Sequence, residues 1–175
     1  ELVLSDVASD PVSAGKRVDA SIDQLNGVIG DIRAYIFDLR PVQFAGDLLT
    51  DLSATVEEFR GSSTLRVSCE LPPTIAVLRE DRATAMLHIA REGLTNARKH
   101  ARASEVVVSI AQVNGAVHIE IRDDGDGFEP HARLTETHRG LRNMRLRTQR
   151  LGGSFDVESV PGAGTTLRVR MPAGV

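Results

Sequence analysis

Three polar residues recur at a spacing of four in one stretch of the sequence: Glu92, Asn96 and His100. In an α-helix, residues four apart lie on the same face, so these side chains would form one row. A carboxylate, an amide oxygen and the ammonium of nearby Lys99 could together hold a hydrated Mg²⁺ ion and polyphosphate oxygens. His88 extends the row toward a zinc site, but the pattern is not His-Glu-x-x-His, and helical drift spreads four such residues too widely for one ion. Spacing alone favours the alternative of a solvated helix face.

An acidic loop with two glycines, Asp-Asp-Gly-Asp-Gly-Phe at residues 123–128, supplies a second group of candidates. It directly follows a predicted strand. Glycine lets the backbone approach a flat ligand closely, while a carboxylate such as that of Asp123 can accept a hydrogen bond from an exocyclic amine. A calcium loop is disfavoured because the twelve-residue spacing with a terminal bidentate Glu is missing. The common alternative is a solvated turn with three acidic residues.

Glycines also precede a predicted helix, at His138-Arg139-Gly140-Leu141, and a predicted strand, at residues 162–166. A glycine before a helix N-terminus leaves unpaired N–H groups that suit a phosphate. Neither a Walker loop nor a dinucleotide-binding Gly-x-Gly-x-x-Gly after a first strand is present, and each glycine motif alone is a weak signal. The helix that follows is rich in arginine, but no aromatic residues interleave with it, so a solvated face is favoured over nucleic-acid binding.

The elements that would position these residues begin with a long helix, predicted over about residues 13–40. Its apolar residues alternate between spacings of four and three, which is a heptad pattern. Pro41 ends it, because the residue before a proline is disfavoured in the α conformation. The pattern favours an intermolecular bundle, with packing onto the helix's own domain as the alternative. The seam consists of Val18, Ile22, Leu25, Ile29, Ile32, Ile36 and Leu39.

The N-terminal residues suggest a second helix before this one. Glu1–Ala8 is predicted to be the tail of that helix, with Ser9-Asp10-Pro11 as the turn. The sequence starts at Glu1 without an initiator methionine, so we expect a piece of a longer protein. Residues 1–41 would then be the end of a helical hairpin, and residues 42–175 a second domain.

The second domain is predicted to be α/β. Helices are expected after Gly46-Asp47 to about Arg60, from Glu80 to Ala101 and from about Arg139 to Leu151. Strands alternate around Val67, around Val106 and Val117 with an Asn114-Gly115 hairpin, and around Phe155 and Leu167 with a Pro161-Gly162 hairpin. This order predicts a two-layer α/β sandwich with a mixed, mostly antiparallel sheet and helices on one face.

Composition limits the class of protein. With 21 Lys+Arg and 24 Asp+Glu the formal net charge is −3, so no general affinity for nucleic acid is expected. The single cysteine excludes an intrachain disulfide and favours a reducing, cytoplasmic location. No apolar run approaches the roughly 20 residues needed to cross a bilayer, so no direct membrane contact is expected.

In this order the motifs resemble a known superfamily. The Glu-x-x-x-Asn helix, the Asp-x-Gly-x-Gly loop, the Gly-Leu helix start and the Gly-x-Gly-Thr strand entry resemble the N box and three glycine boxes of the Bergerat ATP-binding fold. Sensor histidine kinases, DNA gyrase, Hsp90 and MutL share that fold. The likeness runs from about residue 46 to 172. Ile36-Phe37-Asp38-Leu39-Arg40-Pro41, Lys99-His100-Ala101 and the short lid at residues 129–138 are similar to the nitrate/nitrite-sensor type of histidine kinase.

The resemblance implies a role for each matching residue. Asp123 would bind the adenine amine, Gly125 and Gly127 would shape the pocket, and Thr165 would line the adenine side. Asn96 would bind Mg²⁺ between the phosphates of ATP. The remaining residues that it places around the nucleotide are Lys99, His100, Phe128, Gly140, Leu141 and Met144. Glu92 is ambiguous: it would activate water in ATP-hydrolysing relatives, or only organise the metal shell in a kinase.

The function implied is that of the catalytic domain of a two-component sensor kinase, with ATP and Mg²⁺ as cofactors. It would pass the γ-phosphoryl group to a His on the dimerisation helix of a homodimer, for relay to a response regulator. None of the five histidines lies on the first dimerisation helix beside an acidic residue, so the chain alone is not expected to autophosphorylate. The alternatives are an anti-sigma serine kinase or gyrase-like ATPase of the same fold, and a dimerising pseudokinase or scaffold.

Overall fold

A computed structural model of the chain describes residues 11–129 and 139–174. The chain divides into two compact units, Glu1–Leu39 and Arg40–Val175. The predicted helix tail and turn before Pro11, and nearly all of the predicted lid with His131 and His138, lie outside the described residues.

The described residues of the first unit form one long helix, α1 (Pro11–Leu39), close to the predicted bounds. All seven residues of the heptad seam are among the exposed large hydrophobic residues, and Leu25, for example, is 62% exposed. Exposed apolar residues on one helix stripe are typical of a surface that another helix covers. The assignment of this unit to a dimerisation hairpin stays a prediction.

The described residues of the second unit carry three further α-helices. The carboxylate of Asp47 caps α2 (Leu48–Arg60) by accepting a hydrogen bond from the Thr50 N–H at 2.9 Å. The helix α3 (Glu80–Asn96) continues directly into a π-helical turn, Ala97–Ala101, and α4 spans Arg139–Arg150. The sequence predicted a long helix from Glu80 to Ala101, and the chain is helical over these bounds. The last turn is widened into a π-helix, which the apolar pattern did not indicate.

Five strands of the described residues form one sheet: β1 (Arg66–Glu70), β2 (Glu105–Val113), β3 (Ala116–Asp123), β4 (Ser154–Ser159) and β5 (Thr165–Pro172). Their order is β1-β2-β3-β5-β4. β1 and β2 are parallel, and all other neighbours are antiparallel. The β2–β3 turn places Asn114 and Gly115 at positive φ, 50° and 71°, as the Asn-Gly signal predicts. The predicted mixed, mostly antiparallel sheet is confirmed.

The two faces of the sheet differ in polarity, which fixes where the helices pack. The inner face is apolar, and Gly93 of α3 lies so close to it that a Cβ there would sit 2.7 Å from Ile121 Cδ1 and 3.3 Å from Leu167 Cδ1. The outer face is polar, with the guanidinium of Arg168 bonded to Glu120 and Glu158, each at 2.7 Å. The predicted two-layer sandwich is therefore confirmed. Along the chain, the inner-face strand residues that are buried include Val106, Val108, Ile110, Val117, Ile119, Ile121, Leu167, Val169 and Met171.

Candidate functional site

A cavity of about 320 Å³ opens at the end of the sheet where β3 finishes and β5 begins. The helix α3, the π-helical turn, the loop after β3 and the start of α4 complete its wall. Seven residues singled out in the sequence line it: Asn96, His100, Asp123, Gly127, Phe128, Leu141 and Thr165. The other five candidates, Glu92, Lys99, Gly125, Gly140 and Met144, lie outside this lining.

The π-helical turn carries two of the candidates to the cavity. Asn96 ends α3 and His100 lies within the turn, and both line the wall. Lys99, beside His100, is exposed and lies outside the lining. Arg102 follows the turn in a left-handed conformation with φ 50°, so the chain reverses sharply into β2. Wide helical turns of this kind concentrate at functional sites.

Asp123 is the half-buried carboxylate of the cavity. Burial raises its pKa above the ordinary value, because the charged form loses water. Backbone N–H groups of Gly125 and Thr165 donate to the carboxylate and oppose that rise, and the Gly125 bond is 3.0 Å long. These two amides fix the orientation of the carboxylate at the cavity wall. Asp123 is thus a positioned hydrogen-bond acceptor.

The loop after Asp123 is wedged between two other backbone segments. A Cβ at Gly125 would collide with the carbonyl group of Ala101, and a Cβ at Gly127 would collide with the carbonyl group of Val160. Gly127 also has a positive φ of 60°. The Asp126 N–H donates to the Ala101 carbonyl at 2.6 Å, which holds the loop against the π-helical turn. Only glycine fits at these two positions, and the loop shapes the cavity through its backbone.

The start of α4 closes the other end of the site. Leu141 lines the cavity, whereas Met144 is only 4% exposed and belongs to the core. A Cβ built on Gly140 would lie 2.5 Å from Oε1 of Glu92 and 3.8 Å from Nδ2 of Asn96. Gly140 therefore places the N-terminal turn of α4 beside the polar side chains of α3. A helix N-terminus carries partial positive charge, which suits an anionic ligand group.

His88 does not extend the polar row into a metal site. Burial, with smaller contributions from the positive charges of Arg147 and Arg91, lowers its pKa. Among residues 11–129 and 139–174, no group of three or more His, Cys, Asp or Glu residues could hold a metal ion.

Comparison with known proteins assigns the family. Residues 81–175, more than half of the chain, match the family model described as histidine kinase-, DNA gyrase B-, and HSP90-like ATPase. The chain belongs to this family. ATP is therefore the cofactor of the domain that contains the cavity.

Relatives of this ATPase domain include sensor histidine kinases. The chain is 31% identical over 144 residues to the sensor histidine kinase LiaS of Bacillus subtilis, and this match covers 81% of the chain and 39% of LiaS. The chain is also 31% identical over 161 residues to the nitrate/nitrite sensor protein NarX of Escherichia coli K12. This match covers 91% of the chain and 26% of NarX. The chain thus spans well under half of the length of these curated relatives.

A solved structure shares the fold. The histidine kinase domain of the Erythrobacter litoralis blue-light activated histidine kinase matches 98% of this chain and 81% of that structure, with a TM-score of 0.58 and 21% identity. At this identity the likeness concerns the fold alone. It agrees with the α/β sandwich predicted from the sequence.

Four residues of the ATPase domain line the cavity although the sequence did not single them out as site residues: Gly93, Ala101, Ile121 and Leu167. Ile121 and Leu167 pair across β3 and β5, two residues from the pair formed by Asp123 and Thr165. The sequence did hold a signal for these two strand residues. Side chains two residues apart on a strand share a sheet face, so Ile121 lies on the same face as Asp123, and Leu167 on the same face as Thr165. Their register, and hence their place under the cavity, depends on strand pairing.

Asp124 is another residue whose role only the structure shows. Its carboxylate accepts hydrogen bonds from the Ser104 hydroxyl at 2.5 Å and from the backbone N–H groups of Ser104 and Glu105 at 2.8 and 2.9 Å. The Ser104 hydroxyl, together with these amides, lowers the pKa of Asp124 to about 2. Asp124 thus joins the end of β3 to the start of β2 and holds the loop that carries the cavity wall.

Proposed function

We propose that this chain is the ATP-binding catalytic domain of a two-component sensor histidine kinase. It delivers the γ-phosphoryl group of ATP to a His outside this chain, for relay to a response regulator. The observation that carries the proposal is the cavity with a positioned acceptor, Asp123, at one end and the start of α4 beside Asn96 at the other. A purine and a polyphosphate need these two kinds of group at opposite ends of one pocket.

The adenine end is formed by β3 and β5. Asp123 accepts a hydrogen bond from the 6-amino group, and Thr165 stands beside it on the paired strand. Ile121 and Leu167 supply an apolar surface below the ring. A flat, mostly apolar slot with a few polar groups is the usual form of a small-ligand site. The glycines of the loop leave room for the ring at its edge.

The phosphate end is formed by α3, the π-helical turn and α4. Asn96 and His100 reach the wall from one side, and the backbone at Gly140 and Leu141 approaches from the other. These groups provide an amide, an imidazole and the N-terminus of a twelve-residue helix. Such groups bind phosphate oxygens without a Walker loop.

The donor set at this end fits Mg²⁺ that is held chiefly by the nucleotide. Asn96 offers one amide oxygen, and Mg²⁺ commonly combines one or two protein oxygens with phosphate oxygens and water. When bound, the ion neutralises charge on the phosphates. Glu92 lies against Gly140 and outside the cavity lining, which supports a role in positioning α4 and the metal shell over one in activating water. Exclusion of water favours transfer to a protein acceptor.

The phosphoryl acceptor and the dimer are part of the same proposal. Transfer needs an attacking atom in line with the γ-phosphorus, and no histidine of this chain has the sequence context expected of the acceptor. The exposed seam of α1 packs against another helix in a homodimer. No helix of the described residues is long and apolar enough to span a membrane. We place the domain in the cytoplasm, which the lone Cys69 supports.

A chimera tests the proposal. The segment of NarX that matches this chain over 161 residues is replaced by the chain, and the product is incubated with γ-labelled ATP. We expect an acid-labile, alkali-stable label that disappears in Asn96→Ala. The chain alone binds ATP without such a label. A chimera that dimerises and binds ATP normally but incorporates no phosphate would support a pseudokinase, while steady release of inorganic phosphate would support a gyrase-like ATPase.

A further inference from the structure

A buried serine outside the cavity lining, Ser159, makes three hydrogen-bonding contacts, two of them with residues of the cavity wall. It ends β4 on the inner face of the sheet, paired with Thr165 of β5, and is 9% exposed. Its hydroxyl accepts from the Phe128 N–H at 2.8 Å and donates to the Gly164 carbonyl at 3.0 Å. The third contact, at 3.1 Å, joins its Oγ to Oγ1 of Thr165. Two of these three partners, Phe128 and Thr165, line the cavity.

The hydrogen bonds of Ser159 fix where the hydroxyl proton of Thr165 points. A serine hydroxyl has one proton and two lone pairs. Its proton goes to the Gly164 carbonyl, which can only accept, and one lone pair is used by the Phe128 N–H, which can only donate. The remaining lone pair must therefore receive the proton of Thr165, so Thr165 donates to Ser159. All hydrogen-bonding capacity of the buried serine is then satisfied.

The consequence for the cavity is that Thr165 presents only lone pairs to a ligand. Asp123, its partner across the strands, is likewise an acceptor when ionised. The two side chains together form a wall of acceptors. Such a wall favours a base edge that donates, such as the 6-amino group of adenine, and disfavours a 6-oxo group, which would leave acceptors facing one another.

We propose that Ser159 is a specificity-determining positioning residue: by accepting the Thr165 proton, it keeps the base-reading wall free of donors and so selects a 6-aminopurine over a 6-oxopurine. The inference rests on the proposed nucleotide site and deepens it. It requires no contact between Ser159 and the nucleotide. Removal of the serine hydroxyl frees the Thr165 proton to turn into the cavity, where it can donate to a 6-oxo oxygen.

Binding of ATP and inosine triphosphate to the 175-residue chain tests the proposal. The two nucleotides differ only in the 6-substituent of the purine and in the proton that inosine carries on ring atom N1. Both affinities are measured by calorimetry for the native chain and for Ser159→Ala. We expect the ATP-to-inosine-triphosphate affinity ratio to fall by about five- to tenfold in the variant, the effect of about one hydrogen bond. An equal loss of affinity for both nucleotides would reduce Ser159 to a purely structural role and overturn the proposal.

Matched variants at Thr165 make the test specific. Thr165→Ser keeps the hydroxyl, so Ser159→Ala should lower the ratio in that background as it does in the native chain. In a Thr165→Val background Ser159→Ala should leave the ratio unchanged, because no hydroxyl proton remains to redirect. A further fall in that background would also overturn the proposal. Should Ser159→Ala not fold, Ser159→Cys, which keeps the size but bonds weakly, is measured instead with the same expected direction.

Failure of the proposed function would look different. A native chain that binds neither nucleotide would show that the cavity is not a nucleotide site, and the proposed function itself would be rejected. A native chain that binds ATP well, with a ratio unaffected by Ser159→Ala, would leave the site in place and reject only the role of Ser159.

Discussion

Gly140 at the start of α4 stands directly against Glu92 of α3: a Cβ at Gly140 would lie 2.5 Å from the carboxylate oxygen Oε1. The atom that would be displaced is the far end of a flexible side chain, whereas at Gly125 the colliding group is the backbone carbonyl of Ala101. The two glycines therefore leave room for different groups, a side chain at Gly140 and a backbone segment at Gly125. Gly140 sets the position of a polar side chain at the phosphate end, and Gly125 sets the path of the backbone.

Gly140→Ala is expected to keep the fold and weaken ATP binding. Alanine is the better helix former by about 1 kcal/mol, which offsets the cost of moving the Glu92 side chain. The displaced carboxylate then disturbs the phosphate end. Thermal unfolding and calorimetry measure the two effects. Gly125→Ala is the contrasting variant and should unfold at a clearly lower temperature. Normal ATP affinity in Gly140→Ala would show that Gly140 does not affect binding at the phosphate end.

Asp123→Asn should weaken ATP binding by roughly ten- to a hundredfold. The change replaces an acceptor-only group with one that can present a donor to the adenine amine, a buried mismatch of about 1–3 kcal/mol. Asp156→Asn makes the same chemical change at an exposed residue of β4, on the outer face of the sheet, and serves as the control. Calorimetry on the three proteins measures the effect. Equal affinities for all three would place Asp123 outside the nucleotide site.

Asn96→Ala should weaken Mg·ATP more than metal-free ATP, since only the complex with the ion uses the amide oxygen. Affinities with and without Mg²⁺ give the comparison. Asn143→Ala, at an exposed residue of α4, is the control. An equal loss of ATP affinity with and without Mg²⁺ would indicate a damaged fold. No loss in either condition would show that Asn96 is an ordinary solvated residue.

Acid should weaken the fold through Asp124. Its pKa falls from the ordinary 3.8 to about 2 in the folded chain, so its hydrogen bonds stabilise the fold fully above pH 4 and are lost as the pH falls toward 2. Solvent screens this exposed carboxylate, so the effect is modest. Urea unfolding at several pH values measures it. Asp124→Asn should flatten the pH dependence between 4 and 2, and an unchanged slope would contradict the assignment.

Ile29→Asn should abolish self-association of the chain. Ile29 lies in the centre of the α1 seam and is 47% exposed in the single chain, so burial against a second helix would remove apolar surface from water. Ala20→Asn introduces the same polar residue at an exposed position away from the seam. Analytical ultracentrifugation compares the three proteins. A native chain that stays monomeric at high concentration would show that the seam does not join two copies of the chain.

The sequence by itself determined the class of fold and the order of its elements. Apolar periodicity predicted the helices and strands, and the Asn114-Gly115 turn followed from the need for positive φ at both residues. The four short motifs also named most of the cavity wall, because each requires a specific residue type at a fixed distance along the chain. These are local properties, and local spacing is what a sequence records.

The tertiary structure alone decided how the motifs meet. The π-helical turn after Asn96 and the close approach of Gly125 to Ala101 depend on how separate segments pack. The pairing of Ser159 with Thr165 depends on the register of β4 and β5. Strand register places Ile121 and Leu167 under the cavity, and the contacts of Ser159 with Phe128, Gly164 and Thr165 form only in the folded chain. No spacing encodes these relationships, because they arise when distant backbones pack and every buried polar group must find a partner.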